Sequence, residues 1–334
     1  MSIPTPSPFP IPALHPSVAG ALAGQERPVV VIGGGGWMGQ AVLHMIGGSA
    51  ESGDLLSRVH VFGSAARTMP LPGGRSVAVR PLSELGGLRV EAPLVFHLAF
   101  LTKDKVDGLS PDAYERGNTA ITDAVAGWLE TVHPAGLVLP SSGAVYGAMG
   151  NAAGANPYGA LKLKDEERFA ALAARRGFRV AIGRVFNLSG PFMNKLSLYA
   201  LGSILAALID GRPVVLRAPH HVVRAYTHVG DALNLMITEA LEPGAGASLF
   251  DVAGLEPVEV GELARRCAAL LGRADIPIER PPHDPGREDR YLGDPAPWRR
   301  LADRHGIALR PLDAQILDTA AYVAALPPDE RRAA

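Results

Sequence analysis

An apolar run that opens into a cluster of glycines lies near the start of the chain. Residues 29–39 read VVVIGGGGWMG, in which Gly33, Gly36 and Gly39 follow the spacing G-x-x-G-x-x-G, and an amphipathic stretch comes next. This pattern predicts a strand, a tight turn and a helix. In that context the glycines let the backbone approach a pyrophosphate, which the helix N-terminus attracts. The segment therefore indicates a dinucleotide-binding α/β fold.

Strand-like runs alternate with helical ones between residues 28 and 186. The predicted strands are, in chain order, residues 29–32, 58–62, 77–79, 94–98, 137–140 and 179–184. The clearest helices between them are residues 37–46, 112–131 and 157–176. Alternation of this kind, with nearly continuous apolar strands, predicts a parallel sheet covered on both faces. We therefore predict a doubly wound α/β sheet of the Rossmann type, followed by a smaller C-terminal α/β domain for the substrate.

Domain boundaries follow from the same pattern. Five of the first twelve residues are prolines, so residues 1–27 are predicted to form an extended, polyproline-like arm. Residues 28–187 are predicted to form the cofactor domain, and residues 188–334 most of the substrate domain. Within the latter, about 222–255 is expected to return to the cofactor domain, and a Pro-rich stretch, residues 276–297, precedes two short C-terminal helices.

The balance of charges bears on the kind of partner. The chain has 32 basic and 33 acidic residues, so bulk charge indicates neither a nucleic-acid nor a membrane-surface partner. Its single cysteine, Cys267, cannot form an internal disulfide, which fits a reducing cytoplasm. The N-terminus lacks the pattern of a secretory signal, and no apolar run is long enough to span a bilayer. We expect a cytoplasmic homodimer. No metal is expected, because no carboxylate lies at ligand spacing from the histidines.

Tyr158 and Lys162 lie four residues apart at the start of a predicted helix, and Tyr158 follows Ser142 by sixteen residues. About one helical turn separates the tyrosine from the lysine, so both side chains share one face. A phenol is mostly protonated at neutral pH, and a neighbouring ammonium together with the helix N-terminus favours its anion. Tyr158 is therefore a candidate acid/base, and Ser142 a candidate partner for the substrate oxygen whose proton moves.

Eight short segments in a fixed order carry a resemblance to a known family. They are GGGGWMG (33–39), HLAF (97–100), NT (118–119), SSGAVYG (141–147), YGALK (158–162), RVFNLSGP (184–191), RAYTHVGD (224–231) and RYLGD (290–294). From about residue 28 to about residue 322 the chain resembles the extended short-chain dehydrogenase/reductase superfamily of nucleotide-sugar epimerases, dehydratases and ketoreductases. The resemblance implies an NAD(P)-dependent oxidoreductase or epimerase that acts on a nucleotide sugar.

The resemblance also implies roles for individual residues. Tyr158 matches the catalytic base, Lys162 the lysine that tunes it and binds the nicotinamide ribose, and Ser142 the Ser/Thr at the substrate. Tyr158 and Lys162 are also expected to bind the cofactor, together with Gly33, Gly36, Trp37, Met38, Gly39, Gly63, Ser64, Arg67, Leu98 and Ala99. The other expected substrate-binding residues are Asn187, Arg224, Arg287 and Arg290. The arginines are expected on the diphosphate, which suits a planar cationic fork.

Departures from the family pattern narrow the chemistry. Dehydratases of the family carry an Asp-Glu pair directly after the Ser/Thr, and the fucose-synthase type carries a cysteine at the second of these positions. Gly143 and Ala144 stand there in this chain, so neither water elimination nor C3/C5 proton exchange has its acid. What remains is 4-epimerisation through a transient ketone, or reduction of a 4-ketosugar.

The end of the second strand bears on the choice of cofactor. NAD-preferring members place an acid there for the adenosine ribose, whereas this chain has Gly63. Ser64 and Arg67 are predicted to bind a 2′-phosphate, the alternative being a turn-capping serine and a solvated arginine. We predict NADP, with NAD as the alternative. NADP in turn favours net reduction, because an epimerase recycles its cofactor.

Other classes of function stay open at this point. A non-catalytic dinucleotide-binding sensor or assembly subunit uses the same fold, but such proteins usually lack the tyrosine or the lysine that this chain retains. An oxidoreductase acting on a non-sugar ketone or alcohol is a further alternative, against which the arginine segments argue. For Arg224 the structural alternative is an ion pair, and for Asn118 it is an asparagine that bonds the backbone.

Overall fold

The chain forms two compact units. A computed structural model describes residues 9–23, 27–49, 55–102, 108–150, 157–282 and 284–332. The first unit comprises Ala13–Val185 and Leu233–Asp251, and the second comprises residues 9–12, Phe186–Ala232 and Val252–Ala334.

Strands and helices alternate along the described residues. The strands are β1 (Val29–Ile32), β2 (Val59–Gly63), β3 (Arg67–Leu71), β4 (Arg75–Pro81), β5 (Leu94–His97), β6 (Gly136–Ser142), β7 (Arg179–Val185), β8 (Leu188–Ser189), β9 (Val214–Val215), β10 (His220–Ala225), β11 (Thr227–His228), β12 (Gly246–Val252), β13 (Pro257–Glu259), β14 (Ile278–Glu279) and β15 (Asp284–Tyr291). The α-helices are α1 (Pro16–Ala23), α2 (Trp37–Gly48), α3 (Pro111–Leu129), α4 (Val145–Met149), α5 (Pro157–Arg176), α6 (Ala200–Ile209), α7 (Val229–Leu241), α8 (Val260–Leu270), α9 (Pro295–His305), α10 (Leu312–Ala325) and α11 (Pro328–Arg332).

The first unit is built on an eight-stranded sheet with the order β12-β7-β6-β5-β1-β2-β4-β3. The six strands from β7 to β4 pair in parallel, so the predicted doubly wound class is confirmed. The strand order reverses at β1, which pairs with β2 on one side and β5 on the other. In such sheets a crevice lies outside the carboxyl ends of the strands at this point, and the glycine cluster follows β1 directly.

Burial on both faces explains the continuous apolar strands. All four residues of β1 and all four residues of β5 are buried. Val30 and Ile32 of β1 pack into one core cluster with Phe62, Trp128 and Phe169, which come from β2, α3 and α5. A run of β-branched residues fits such a strand because neither face meets water.

An edge hairpin from β3 to β4 was absent from the sequence prediction. β3 pairs antiparallel with β4, and their turn, Pro72–Gly74, has positive φ at Gly73 and Gly74. Only alternate residues of β3, Met69 and Leu71, are buried. A short strand with one apolar face gives a weak sequence signal, especially beside prolines and glycines.

The N-terminal arm contains a helix where an extended conformation was predicted. In α1 the side chains of Val18 and Leu22, four residues apart, are buried. Pro16 opens this helix at a position where its missing N–H is harmless, and no proline follows before Ala23. The polyproline-like prediction is therefore corrected for this segment, whereas residues 1–8 lie outside the described residues.

The second unit contains a three-stranded sheet with the order β13-β10-β15. β10 lies parallel to β15 and antiparallel to β13. These pairings keep residues 222–225 within the second unit, so the segment that returns to the first unit, Leu233–Asp251, is shorter than predicted. The Pro-rich stretch 276–297 likewise contributes β14 and β15. Within the described parts of both units, no helix has the length and apolar character needed to cross a membrane.

Candidate active site

The glycine loop after β1 lies tightly against the end of β5. Gly33 has a φ of +96°, and a Cβ there would lie 2.5 Å from the backbone nitrogen of Ala99 and 2.7 Å from the carbonyl carbon of Leu98. A Cβ on Gly39 would overlap the carbonyl oxygen of Gly33. The structure therefore brings the predicted residues Gly33, Gly39, Leu98 and Ala99 together, and it requires glycine at the first two.

The N-terminus of α2 fits a pyrophosphate. Gly36 is its N-cap and provides no side-chain cap, and the first turn holds no acidic residue. A Cβ on Gly36 would meet only the Gly33 carbonyl oxygen, at 3.5 Å, so space is open at this point. Trp37 is buried and Met38 is half-buried, which leaves the backbone amides of this turn as the groups suited to phosphate.

Arg67 lies against the glycine loop. It opens β3 and pairs in register with Val79 of β4. Its guanidinium occupies the space that a Cβ on Gly35 would need, whereas Ser64 is exposed. Arg67 follows Gly63 by only four residues, and because β3 runs antiparallel to β4 its guanidinium lies beside the glycine loop.

Tyr158 and Lys162 both contact Phe100. The rings of Tyr158 and Phe100 meet edge to face with centroids 5.5 Å apart, and Nζ of Lys162 lies 4.0 Å from the Phe100 centroid. Nζ also donates a hydrogen bond of 3.0 Å to the Pro140 carbonyl. Burial lowers the pKa of Lys162 to about 8, while Asp165 and Glu166 oppose the shift. The ammonium form therefore prevails at neutral pH.

Ser142 ends β6 in the turn on which α5 packs. Its Oγ accepts a 3.2 Å hydrogen bond from the backbone N–H of Ala144. Gly159, next to Tyr158, lies so close to the Ala144 carbonyl that a Cβ would overlap it. The serine turn and the start of the tyrosine helix are consequently in contact, as a shared site requires.

A buried ion pair lies behind this turn. Arg184 donates to both carboxylate oxygens of Glu166, at 2.6 to 3.2 Å, and Ser141 donates to the same carboxylate at 2.5 Å. The guanidinium also faces the Tyr146 ring at 4.8 Å, and the Tyr146 hydroxyl donates to Asp251 at 2.8 Å. Hydrogen bonding to Glu166 raises the pKa of Arg184 above its usual value.

The side chain of Asn118 forms hydrogen bonds with the backbone. Its side chain is buried, its Oδ1 accepts from the Leu101 N–H at 2.8 Å, and its Nδ2 donates to the carbonyls of Leu101 and Tyr114. This is the structural alternative that the sequence had left open for the residue.

Asn187 and Arg224 lie in the second unit close to Tyr291. Asn187 donates to the carbonyls of Ala225 and Tyr291, at 3.3 and 3.4 Å. Arg224 forms a 2.8 Å ion pair with Asp289, and its guanidinium carbon is 6.0 Å from the Tyr291 centroid. The ion pair foreseen as an alternative for Arg224 is therefore present.

Arg224 and Arg290 do not converge. Arg290 pairs in register with Val223, and Tyr291 pairs with Arg224. Because successive side chains of a strand point to opposite faces, the two arginines lie on opposite faces of this sheet. The expectation that both hold one diphosphate is corrected for this reason. Arg287 and Arg290 are both exposed, and Arg290 pairs with Glu288.

Three side chains escaped the sequence reasoning. In the sequence Phe100 stands out only as the last residue of the HLAF segment, whereas in the structure it contacts both Tyr158 and Lys162. Asp165 lies one turn beyond Lys162, a spacing that could have drawn attention to it. Its partner Thr122 comes from α3, and no local pattern connects the two. Among the described residues no cluster of three His, Cys, Asp or Glu has the arrangement of a metal site.

Comparison with known proteins identifies the family. The model of the NAD dependent epimerase/dehydratase family matches residues 29–252. A UDP-glucose 4-epimerase of Azospirillum brasilense is 26% identical over 307 residues, which are 83% of this chain and 84% of that protein. The chain belongs to the NAD dependent epimerase/dehydratase family, and the sequence resemblance and the expected enzyme class are confirmed.

Solved structures share the fold. The UDP-N-acetylglucosamine 4-epimerase of Methanobrevibacter ruminantium M1, in complex with UDP-N-acetylmuramic acid, superimposes with a TM-score of 0.69 at 19% identity and covers 89% of this chain and 97% of its own. WbmF of Bordetella bronchiseptica, in complex with NAD⁺, gives a TM-score of 0.69 at 20% identity and covers 90% of this chain and 93% of its own. At such identities the likeness establishes the architecture.

Proposed function

We propose that the protein transfers hydride at the 4-position of a nucleotide sugar, as a 4-ketoreductase or a 4-epimerase. One observation carries this proposal. Tyr158 and Lys162 lie on one helix, which packs against the Ser142 turn, and both contact the ring of Phe100. The 4-epimerases of UDP sugars among the relatives support the substrate class. When bound, the nicotinamide supplies the hydride chemistry.

The residues of the first unit have separate parts in this proposal. Tyr158 exchanges a proton with the sugar oxygen, the Lys162 ammonium stabilises the phenolate, and Ser142 orients the oxygen. Gly143 and Ala144 provide no second acid, so elimination of water is not supported. Reduction and 4-epimerisation need only this set together with the cofactor.

Product analysis tests the reaction and decides between its two forms. Purified protein is incubated with UDP, GDP, CDP and dTDP sugars in the presence of NADP⁺ or NAD⁺, and with their 4-keto derivatives in the presence of NADPH or NADH. The products are separated by chromatography and examined by mass spectrometry. A ketoreductase adds two hydrogens and consumes reduced cofactor in equal amount. An epimerase gives an isobaric product without net consumption. Absence of turnover with every substrate would contradict the proposal.

NADP(H) is the cofactor that the loop favours. The Arg67 guanidinium lies beside Gly35, and Gly63 presents no carboxylate that would repel a phosphate. The 2′-phosphate distinguishes NADP from NAD, and a guanidinium suits it. NAD is the second candidate, because structural neighbours are complexes with NAD⁺.

Arg67→Ala should weaken NADP(H) alone. Loss of a charge-assisted hydrogen bond corresponds to about 1–3 kcal/mol, or roughly five- to 150-fold in Kd. Fluorescence titration with NADPH and NADH measures both affinities. Arg89→Ala is the matched control, because Arg89 is an exposed arginine of the same unit that bonds the Gly86 carbonyl. Equal affinities for both cofactors, unchanged in the variant, would contradict the assignment.

Arg224 is our candidate for the substrate diphosphate. It shares its face of the sheet with Tyr291, whose backbone carbonyl accepts from Asn187. Its ion-pair partner Asp289 is 48% exposed, so water already screens the pair and an anionic ligand can compete for the guanidinium. Asn187 is proposed to border the same ligand.

Arg224→Ala should raise the Kd of nucleoside diphosphates by about tenfold or more, because it removes a charge-assisted hydrogen bond. Calorimetric titration of the cofactor-loaded protein with UDP, GDP, CDP and dTDP measures it. Arg290→Ala is a matched control on the opposite face and should leave Kd unchanged. Equal effects of the two substitutions, or the absence of binding by every diphosphate, would contradict the assignment.

We further propose a division of labour between the two units and a homodimeric assembly. Residues 28–187 with the returning segment Leu233–Asp251 are proposed to bind the cofactor, and the rest of the chain from residue 188 is proposed to bind the sugar nucleotide. A cytoplasmic homodimer is proposed as the assembly. Light scattering of the purified protein measures the oligomeric state.

A further inference from the structure

Lys162 is a buried cation with little direct compensation. Its side chain is 8% exposed, and its described contacts are the Pro140 carbonyl and the face of Phe100. An ammonium has three N–H donors, and removal from water disfavours its charge. A lysine that must stay protonated at this position requires negative charge nearby.

Glu166 is one of two acids near Lys162, and it already has a cationic partner. It follows Lys162 by four residues on α5, but both of its oxygens accept from Arg184, and Ser141 donates to it as well. The carboxylate and the guanidinium are 5% and 9% exposed, so this pair is closed to solvent. Glu166 therefore shares its charge with a guanidinium, and it follows Asp165 among the acids that raise the pKa of Lys162.

Asp165 is the other acid, and its charge has no such partner. It follows Lys162 by three residues and is 5% exposed. The Thr122 hydroxyl lies 2.6 Å from its Oδ1 and 3.1 Å from the Asn118 carbonyl, and its single proton is donated over the shorter distance, to Asp165. In the described part of the chain its Oδ2 is buried without a hydrogen bond, and no Lys, Arg or His lies within 4 Å of the carboxylate. On balance burial raises the pKa of Asp165 above its usual value, and Lys162, Thr122 and Arg168 oppose this shift.

We propose that Asp165 is the counter-ion that keeps Lys162 protonated, and that Thr122 is the positioning residue that holds the carboxylate in place. Asp165 acts through space along one turn of α5, without touching substrate or cofactor. Its importance for catalysis rests on the proposed function of Tyr158 and Lys162. Its effect on the charge of Lys162 is independent of that proposed function.

The other titratable groups around Lys162 cannot serve as its counter-ion. His97 of β5 is buried, and neither of its ring nitrogens has a hydrogen-bond partner among the described residues. Burial and the nearby lysine lower its pKa to about 3, so it is neutral. Tyr158 on the same helix is the group that receives the effect of the lysine. Farther out, Arg168 pairs with Asp123 and Lys164 pairs with Glu115 on the surface of α3 and α5.

Direct titration of Lys162 tests the proposal without any substrate. The chain has five lysines, so a protein labelled with ¹³C at Cε gives a spectrum simple enough to follow each of them by NMR. The Lys162→Arg variant assigns the signal by its loss. In the unchanged protein the signal should titrate near pH 8. In Asp165→Asn, which retains an acceptor for Thr122, the midpoint should fall by about one pH unit.

Three variants make the result specific. Glu115→Gln removes one negative charge from the exposed pair with Lys164 and should leave the midpoint unchanged. Thr122→Val removes the hydrogen bond to Asp165 and should reproduce part of the shift, whereas Thr122→Ser should restore the midpoint. An identical midpoint in Asp165→Asn and the unchanged protein would overturn the proposal. It would indicate a neutral Asp165 that donates its proton to Thr122.

The pH profile of kcat/KM measures the consequence for catalysis. The ammonium exists below the pKa of Lys162, so activity that depends on it declines as pH rises through that value. Asp165→Asn should move this alkaline decline to lower pH by the same interval as the NMR midpoint. A shifted midpoint with an unshifted profile would contradict the proposed catalytic part of Lys162 while preserving the counter-ion. An unshifted midpoint contradicts the counter-ion itself.

Discussion

Tyr158→Phe should lower kcat by about a hundredfold or more. The substitution removes the hydroxyl proposed to move the proton but keeps the ring that contacts Phe100. The glycine loop and the start of α2 are untouched, so cofactor affinity should stay within about twofold. Steady-state kinetics with the best nucleotide sugar, together with an NADPH titration, measures both quantities.

Tyr146→Phe is the matched control for this prediction. Tyr146 follows Ser142 by four residues, and its hydroxyl donates to Asp251. No part in proton transfer is proposed for this hydroxyl. The kcat of Tyr146→Phe should fall by less than about tenfold. Full activity in Tyr158→Phe would exclude Tyr158 as the acid/base. Equal losses in the two variants would indicate a structural cause.

Arg184→Met should reduce the free energy of unfolding by about 3–5 kcal/mol, because it leaves the Glu166 carboxylate buried without its counter-charge. Both partners lie almost entirely away from solvent, and Ser141 and Tyr146 are arranged around them. Urea denaturation followed by circular dichroism measures the change. An exposed pair, Arg175 with Glu130, contributes far less, so Arg175→Met should leave the midpoint of urea denaturation nearly unchanged.

A second substitution separates lost charge balance from lost packing. Arg184→Met combined with Glu166→Gln removes the uncompensated charge and keeps an acceptor for Ser141. The double variant should recover at least half of the lost stability. If it is no more stable than Arg184→Met, the cost lies in packing against Tyr146 instead of in the buried carboxylate.

The elements of the first unit were largely accessible from the sequence. The predicted bounds of β1 and α5 agree with the structure, since β1 is apolar throughout and α5 is bounded by Pro157 and by Gly177, whose φ is +77°. Such signals are local. β3 and α1 were missed because each buries only two side chains and lies beside prolines. The buried residues are alternate ones in β3 and lie one turn apart in α1.

The candidate site was predictable only where it depends on spacing along one element. Tyr158 and Lys162 share a helix face, and the glycines precede a helix, so sequence alone indicated both. The Phe100 contact, the Arg67 guanidinium at Gly35 and the Thr122 to Asp165 hydrogen bond join residues from separate elements. Their proximity is created by the order of strands and the packing of α3 on α5.

The sequence by itself determined the strand, glycine turn and helix of the cofactor loop, the family, and the chemical types of the candidate catalytic residues, because each follows from short-range spacing. Tertiary structure alone decided which charges act together. Arg224 and Arg290 are separated because strand register assigns neighbouring positions to opposite faces, and a shift of one residue would reverse that result. Folding likewise brings Arg184, from a different strand, onto Glu166, whereas Asp165 of the same helix accepts from Thr122 of α3.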